Sequence, residues 1–347
     1  MLLDGNGKIH RKSAPGAILG ETAMIKEGRI KTDWASLTLA QDGTVVVCVK
    51  YNGAPRCMCF NSLEQLKQAV VSKKMLVKKW AIAVPRSSCI LKPLVLPASD
   101  LDEAVKMIEF ELPTLVPIPL DEIVYGCTLL NKQSNMLNVL VCILKLSALN
   151  QYLKSYRDVG IEPHRITLNL LAVQNWFNAT NASTSGQEIS VLVNKHYCAV
   201  LTCANGNLHK ANELTLSGGD ITKRSREIMQ EIIRQREELP PPLKKKTMVL
   251  LAGAEKYASE IKNLFRSIPN DSTISHKVTV VPNPIITCNT GSDKYEHDGN
   301  SLCYEAATVT GLLDLAVNSK LPHSNLLPQQ YLRRYQKKAL LFHFFLV

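Results

Sequence analysis

At 347 residues the chain is long enough for two domains or one large bilobal fold, and 46% hydrophobic with 20% charged residues excludes a disordered one. The formal charge of +11 raises the question of nucleic acid, but only 6% of residues are aromatic and no basic stripe is interleaved with them, so no nucleic-acid partner is expected. Ten cysteines without a CxxC pair read as small buried hydrophobes of a reducing compartment, with no metal site.

Residues 1–29 are polar and Gly/Lys-rich, lack the apolar stretch of a signal peptide, and read as a flexible tail. From Asp33 the texture changes. Runs at 35–39 and 45–49 flank Asp42-Gly43, a hairpin signal, and a third run at 56–60 follows Asn52-Gly53. Ser62 opens a helix with Leu63, Leu66, Val70 and Val71 on one face, and a strand follows at 80–84. Residues 90–160 read as a small split αβ insert. A strand at 90–96 precedes a helix capped by Ser99 or Asp100, with Glu103 as capping-box partner and Leu101, Val105, Ile108 and Leu112 as its stripe. Pro113 is expected to end that helix. Strands at 122–130 and 137–144 and a helix at about 147–158, closed by Gly160, complete the β-α-β-β-α order.

The second half repeats the first. Strands at 188–194, 197–203 and 208–216 form another meander, a helix at 219–238 runs to Pro240-Pro241-Pro242, and a strand at 247–251 enters Ala252-Gly253-Ala254. A helix bearing Tyr257, Ile261, Leu264, Phe265 and Ile268, a strand at 277–281 and a helix at 301–317 follow. Two similar lobes around a cleft are therefore expected, at 30–165 and 166–320. After them come a segment at 321–338, with Arg333, Arg334, Lys337 and Lys338, and an apolar run at 339–347. Nine residues rise only about 14 Å as helix, whereas a bilayer core needs roughly 20 residues. With the flanking positive charge, the run reads as the start of a truncated transmembrane helix.

The duplicated order resembles the actin-like (sugar kinase, Hsp70) architecture, an α/β, duplicated RNase H-like bilobal fold. Trp80-Ala81-Ile82-Ala83-Val84-Pro85, Leu94-Val95-Leu96-Pro97, Glu109-Phe110-Glu111-Leu112, Pro117-Ile118-Pro119 with Asp121-Glu122, and Val159-Gly160-Ile161-Glu162-Pro163 together resemble PilM. PilM is the cytoplasmic actin-like protein of type IV pilus assembly, and the secretion protein GspL has a related cytoplasmic domain. Asn325-Leu326-Leu327-Pro328 is similar to the leader by which PilN docks on PilM. A Leu-Leu-Pro peptide can fill two apolar pockets at low entropic cost, and Asn325 suits a hydrogen bond to exposed backbone.

What the resemblance implies is a non-enzymatic scaffold at the cytoplasmic face of the bacterial inner membrane, in a type IV pilus or type II secretion platform. Its partners would be PilN/PilO- or GspM-like platform proteins, a secretion ATPase and further copies of itself. The alternative is an active ATP-binding actin-like ATPase or sugar-kinase relative. Relatives hold phosphates on two hairpin turns, each with an Asp and a Gly. The first pattern is assigned to Asp33-Trp34-Ala35, which keeps the acid and loses the Gly; the second falls on Asn194-Lys195-His196, which loses both. Gly218-Gly219 and Gly253 are the remaining candidate nucleotide-binding positions. Weak ATP/Mg²⁺ binding without hydrolysis is the most these residues imply.

Overall fold

The computed structural model describes residues 30–180, 187–194, 197–204, 207–216, 220–238, 247–253, 278–281, 286–288 and 302–328, with isolated positions between 257 and 263. The tail 1–29, His196, Gly218, Gly219, Arg333, Arg334, Lys337, Lys338 and the run 339–347 lie outside the described residues.

The first lobe opens with β1 (Ile30–Leu39), β2 (Val45–Tyr51) and β3 (Ala54–Phe60) as an antiparallel meander. Its first turn is built at Ala40–Thr44, where Gly43 takes φ +87° and the Asp42 carboxylate accepts the Thr44 N–H at 2.9 Å. Helix α1 (Leu63–Val71) starts at Ser62, whose hydroxyl accepts the Gln65 N–H. It returns the chain to β4 (Met75–Val84), parallel to β1.

The insert follows. Strands β5 (Cys89–Leu96), β6 (Ile123–Gln133) and β7 (Met136–Lys145) form a three-stranded antiparallel sheet in the order β5-β7-β6. Helix α2 (Leu101–Leu115) packs Ala104, Ile108 and Leu112 on it. Asp100 caps α2, as its spacing predicts, but Pro113 does not end it. A proline in the last turn deprives one carbonyl of its donor, and the helix runs two residues further to the Val116 N–H bond on Leu112. Helix α3 (Leu146–Arg157), assigned to the insert from sequence, points Tyr156 into the first-lobe core with Leu37, Trp80 and Ile161.

Strand β8 (Pro163–Leu168) pairs parallel to β4, and α4 (Asn169–Thr180) follows directly. Neither was visible in the sequence. From Asn169 to Phe177 every residue of α4 is buried, so no polar face sets off an apolar one.

The second lobe has β9 (Gln187–Val193), β10 (Tyr197–Ala204), β11 (Asn207–Thr215), α5 (Ile221–Glu237), β12 (Thr247–Gly253) and β13 (Val278–Val280). Its sheet order is β11-β10-β9-β12-β13. The first-lobe order, β3-β2-β1-β4-β8, is the same five-strand scheme, with β14 (Ile286–Cys288) added beside β3.

Helices α4 and α6 (Cys303–Val317) join the lobes crosswise. α4 follows the first-lobe sheet, yet Leu170, Val173 and Phe177 share a core with Leu192, Leu201 and Leu250 of the second. α6 follows the second lobe, yet Val309 and Leu313 pack on Val46, Cys48 and Cys57 of the first. At their crossing Gly311 is indispensable: a Cβ there would fall 1.9 Å from the Ala172 carbonyl oxygen. Asn175 clasps the junction, donating to the Gly311 carbonyl at 3.0 Å and to the Asp314 carboxylate at 2.7 Å.

Candidate functional site

Two groupings of side chains stand out, a peptide seat on β8 and a polar cluster between the lobes.

The seat begins where α6 ends. Arg165 of β8 is buried, and its guanidinium donates to the carbonyls of Leu315 (3.1 Å), Lys320 (2.6 Å) and Leu321 (2.8 Å) and to the Ser324 hydroxyl (3.3 Å). The last carbonyls of a helix lack internal partners and carry its negative dipole end, which is why a cation is stable there. Burial nevertheless pulls Arg165 down to about 10. Ser319 and Leu321 take left-handed conformations, with φ of +50° and +49°, to bend the chain around this anchor. The Thr167 hydroxyl holds the Ser324 carbonyl at 3.2 Å.

Past the bend the chain lies along the free edge of β8. The Asn325 side-chain oxygen accepts the N–H groups of Ile166 (3.0 Å) and Leu327 (3.2 Å), and the Leu326 N–H donates to the Ile166 carbonyl at 2.8 Å. Leu326 and Leu327 are only 1% and 4% exposed, inside the largest core cluster. Across the seat, β6 approaches so closely that a Cβ on Gly126 would meet the His323 carbonyl oxygen at 2.8 Å. His323 in turn lies 3.2 Å from the Asp102 carboxylate at the start of α2. The seat is thus framed by lobe, insert and α6 together.

The cluster between the lobes centres on Glu305 in the first turn of α6, 2% exposed. Its carboxylate accepts the Tyr197 hydroxyl at 2.5 Å and the Asn194 amide at 3.2 and 3.3 Å. Burial pushes Glu305 up to about 7, with Asp42 and Glu213 adding to the rise and the Tyr197 bond opposing it. Glu213 of β11, also raised by burial, accepts the Tyr304 hydroxyl at 2.9 Å, and Asn169 donates to both Tyr304 and Glu213. The rings of Tyr197 and Tyr304 meet edge to face at 4.7 Å. At the second hairpin and the start of α6 the carboxylates, phenols and amides are therefore engaged with one another.

No protein-family model matches the chain, and no curated protein matches it. Among solved structures, the PilM–PilN type IV pilus biogenesis complex superposes with a TM-score of 0.60 at 16% identity, over 83% of this chain and 99% of that one. The same five-strand order twice, with crossed helices between, coincides with that likeness. The chain has the actin-like ATPase fold. Also similar are the cytoplasmic domain of EpsL, an inner-membrane component of the type II secretion system of Vibrio cholerae (TM-score 0.46, 13% identity, 86% of this chain and 99% of that), and an actin-like protein of unknown function from Bacteroides thetaiotaomicron (0.44, 12%, 80% and 96%).

In this actin-like fold the residues singled out from sequence scatter. Asp33 and Ala35 are not on a turn, which corrects the first assignment. Both lie inside β1, held there because its pairing with β4 begins at Ile30 and Met75. Asp33 is an exposed partner of Lys78 at 2.7 Å, and that cation holds its carboxyl below the ordinary value. Ala35 is buried between Val49 and Trp80. The first hairpin turn carries Asp42 and Gly43 instead. Asn194 does sit at the second turn, its N–H closing the hairpin on the Tyr197 carbonyl at 2.9 Å. Gly253 has a packing reason of its own, since with φ of +106° a Cβ there would fall 2.1 Å from the Val193 carbonyl oxygen. Asn325, Leu326 and Leu327 come together on the β8 seat, and Pro328, half-buried, follows them. Glu305, Tyr197, Glu213 and Arg165 were not anticipated. The available signal for Glu305 was an acid in the first turn of the largely apolar helix 303–317, whose other acid, Asp314, lies in its last turn.

Among the described residues no helix is long and apolar enough to cross a membrane, and no group of His, Cys, Asp and Glu has the makings of a metal site.

Proposed function

We propose that the protein is a non-catalytic scaffold of the inner-membrane assembly platform of a type IV pilus or a type II secretion-like machine. It would stand at the cytoplasmic face of that membrane and contact PilN/PilO- or GspM-like platform proteins, a secretion ATPase and further copies of itself. The observation that carries this reading is the seating of Asn325, Leu326 and Leu327 on β8. The matched PilM structure is a complex with PilN, and here a peptide similar to the PilN leader is part of the same chain. A covalently attached peptide has a high effective concentration at its seat, so the body is tied to whatever follows it.

The cluster around Glu305 supports the absence of catalysis. Asn194 supplies no anionic oxygen to a metal, and its amide is already engaged by Glu305. A triphosphate entering between the hairpins would meet Glu305, Glu213 and Asp42, all acidic. Capture of the full chain from membranes of its own host, followed by mass spectrometry, should recover platform proteins and a secretion ATPase. Titration with Mg–ATP should give no turnover. ATP hydrolysis lost on Asp42→Ala would favour the ATPase alternative and overturn the scaffold.

A further inference from the structure

The end of the first lobe where β1 and β4 begin is densely basic. Lys31, Lys73, Lys74, Lys78 and Lys79 are all exposed there, and residues 30–34 and 71–79 contain a single acid, Asp33, which is bound to Lys78. The strands bring these lysines together. The Ile30 N–H bonds the Lys74 carbonyl at 2.9 Å, Lys31 lies opposite Leu76, and Lys73 turns the chain out of α1 with φ of +56°. Two aliphatic side chains stand among them in the open, Val71 at 70% exposure and Leu76 at 38%.

We propose that this end of β1 and β4 is a docking surface for an anionic lipid bilayer. The charges are ammonium groups, which act as point charges towards lipid phosphates and lack the planar fork suited to bidentate recognition. Lys79 lies over the Trp34 ring at 5.4 Å, so one face of that indole is already taken by a cation and not open to a nucleobase. Five lysines less one aspartate leave four net positive charges, enough for a substantial electrostatic attraction to an anionic leaflet. Val71 and Leu76 give the contact an apolar component that neither salt nor headgroup charge supplies. This surface lies at the opposite end of β4 from the insert and does not depend on the scaffold reading.

The test is co-sedimentation of the full chain with vesicles. On phosphatidylcholine vesicles containing about 30% phosphatidylglycerol, binding should be on the order of 100-fold tighter than on phosphatidylcholine alone, and should weaken steeply at high salt. The triple substitution Lys31→Glu, Lys73→Gln and Lys74→Glu should reduce it at least about tenfold. Val71→Ser with Leu76→Ser should weaken binding while leaving the charge unchanged, and decides the matter if the lysine variant unfolds. Replacing Arg333, Arg334, Lys337 and Lys338 by Gln should leave patch-dependent binding in place. Full-strength binding by the lysine variant, binding that vanishes only with the C-terminal replacements, or a patch that drives self-association and ignores vesicles would each overturn the proposal.

Discussion

The Asn325 carboxamide and the Ile166 peptide form a closed pair. The side-chain oxygen takes the Ile166 N–H at 3.0 Å, and one residue later the Leu326 N–H returns a bond to the Ile166 carbonyl at 2.8 Å. A side chain thereby completes one rung of a strand pairing on the β8 edge and delivers Leu326 and Leu327 into the core. Asn325→Ala should cost about 1–3 kcal/mol, because it strands a half-buried N–H. Leu326→Ala should cost about 2–5 kcal/mol. Both are measured by denaturant unfolding, and a cost near zero for Leu326→Ala would mean that the peptide is not part of the core.

The seat can be disturbed from the other side without touching the peptide. Gly126→Val would drive a side chain into the His323 carbonyl, already 2.8 Å from the position of a Cβ. The expected result is faster hydrogen exchange at the Leu326 and Leu327 amides, with the second-lobe amides of β9 and β10 unchanged. Uniformly faster exchange would mean that the seat and the body unfold as one unit.

The crossing of α4 and α6 leaves no room for growth. Gly311→Ala places a methyl 1.9 Å from the Ala172 carbonyl oxygen and 2.9 Å from the Trp176 nitrogen, both backbone atoms that cannot swing aside. Because the two helices link the lobes, the strain should appear as a loss of about 3 kcal/mol or more. A thermal midpoint equal to wild type would show that the helices can separate freely.

Glu305 makes stability depend on pH in a definite direction. Its folded value of about 7 lies above the ordinary 4.5, so between those values the folded protein holds a proton that the unfolded chain has released. Stability from this group is therefore complete below pH 4.5, falls as pH rises towards 7, and is flat above. Glu305→Gln removes the dependence. Relative to the variant, wild type should lose on the order of 3 kcal/mol across that window, read from urea unfolding at a series of pH values. Parallel curves for the two proteins would place the proton elsewhere. Tyr197→Phe removes the strongest donor to the carboxylate and should shift the fall to higher pH.

Much of the fold was legible because short-range chemistry specified it. Asp42-Gly43 and Asn52-Gly53 mark turns that the structure contains, with Asn52, Gly43 and Gly53 at positive φ. Ser62 and Asp100 cap the helices they announce. The meander–helix–strand order appearing twice was sufficient to indicate a duplicated bilobal architecture, because strand alternation and turn residues are local properties. The peptide 325–328 also stood out by composition, apolar residues and proline around a single amide.

What the sequence left undetermined depends on long-range pairing and burial. β8 and α4 had no recognisable pattern because burial on every side removes the polar face by which a helix is usually read. Asp33 was assigned to a turn because the Asp-x-Gly pattern of the resembling family falls on Asp33-Trp34-Ala35, but partnership with β4 extends β1 past it and moves the turn to Asp42. Glu305 and Tyr197 are 108 residues apart, and only the crossing of α6 over the lobes brings their oxygens within 2.5 Å. Local residue preferences determined which elements form and in what order. The tertiary structure alone decided which polar groups become buried together, since desolvation acts on the assembled crevice and not on the chain that enters it.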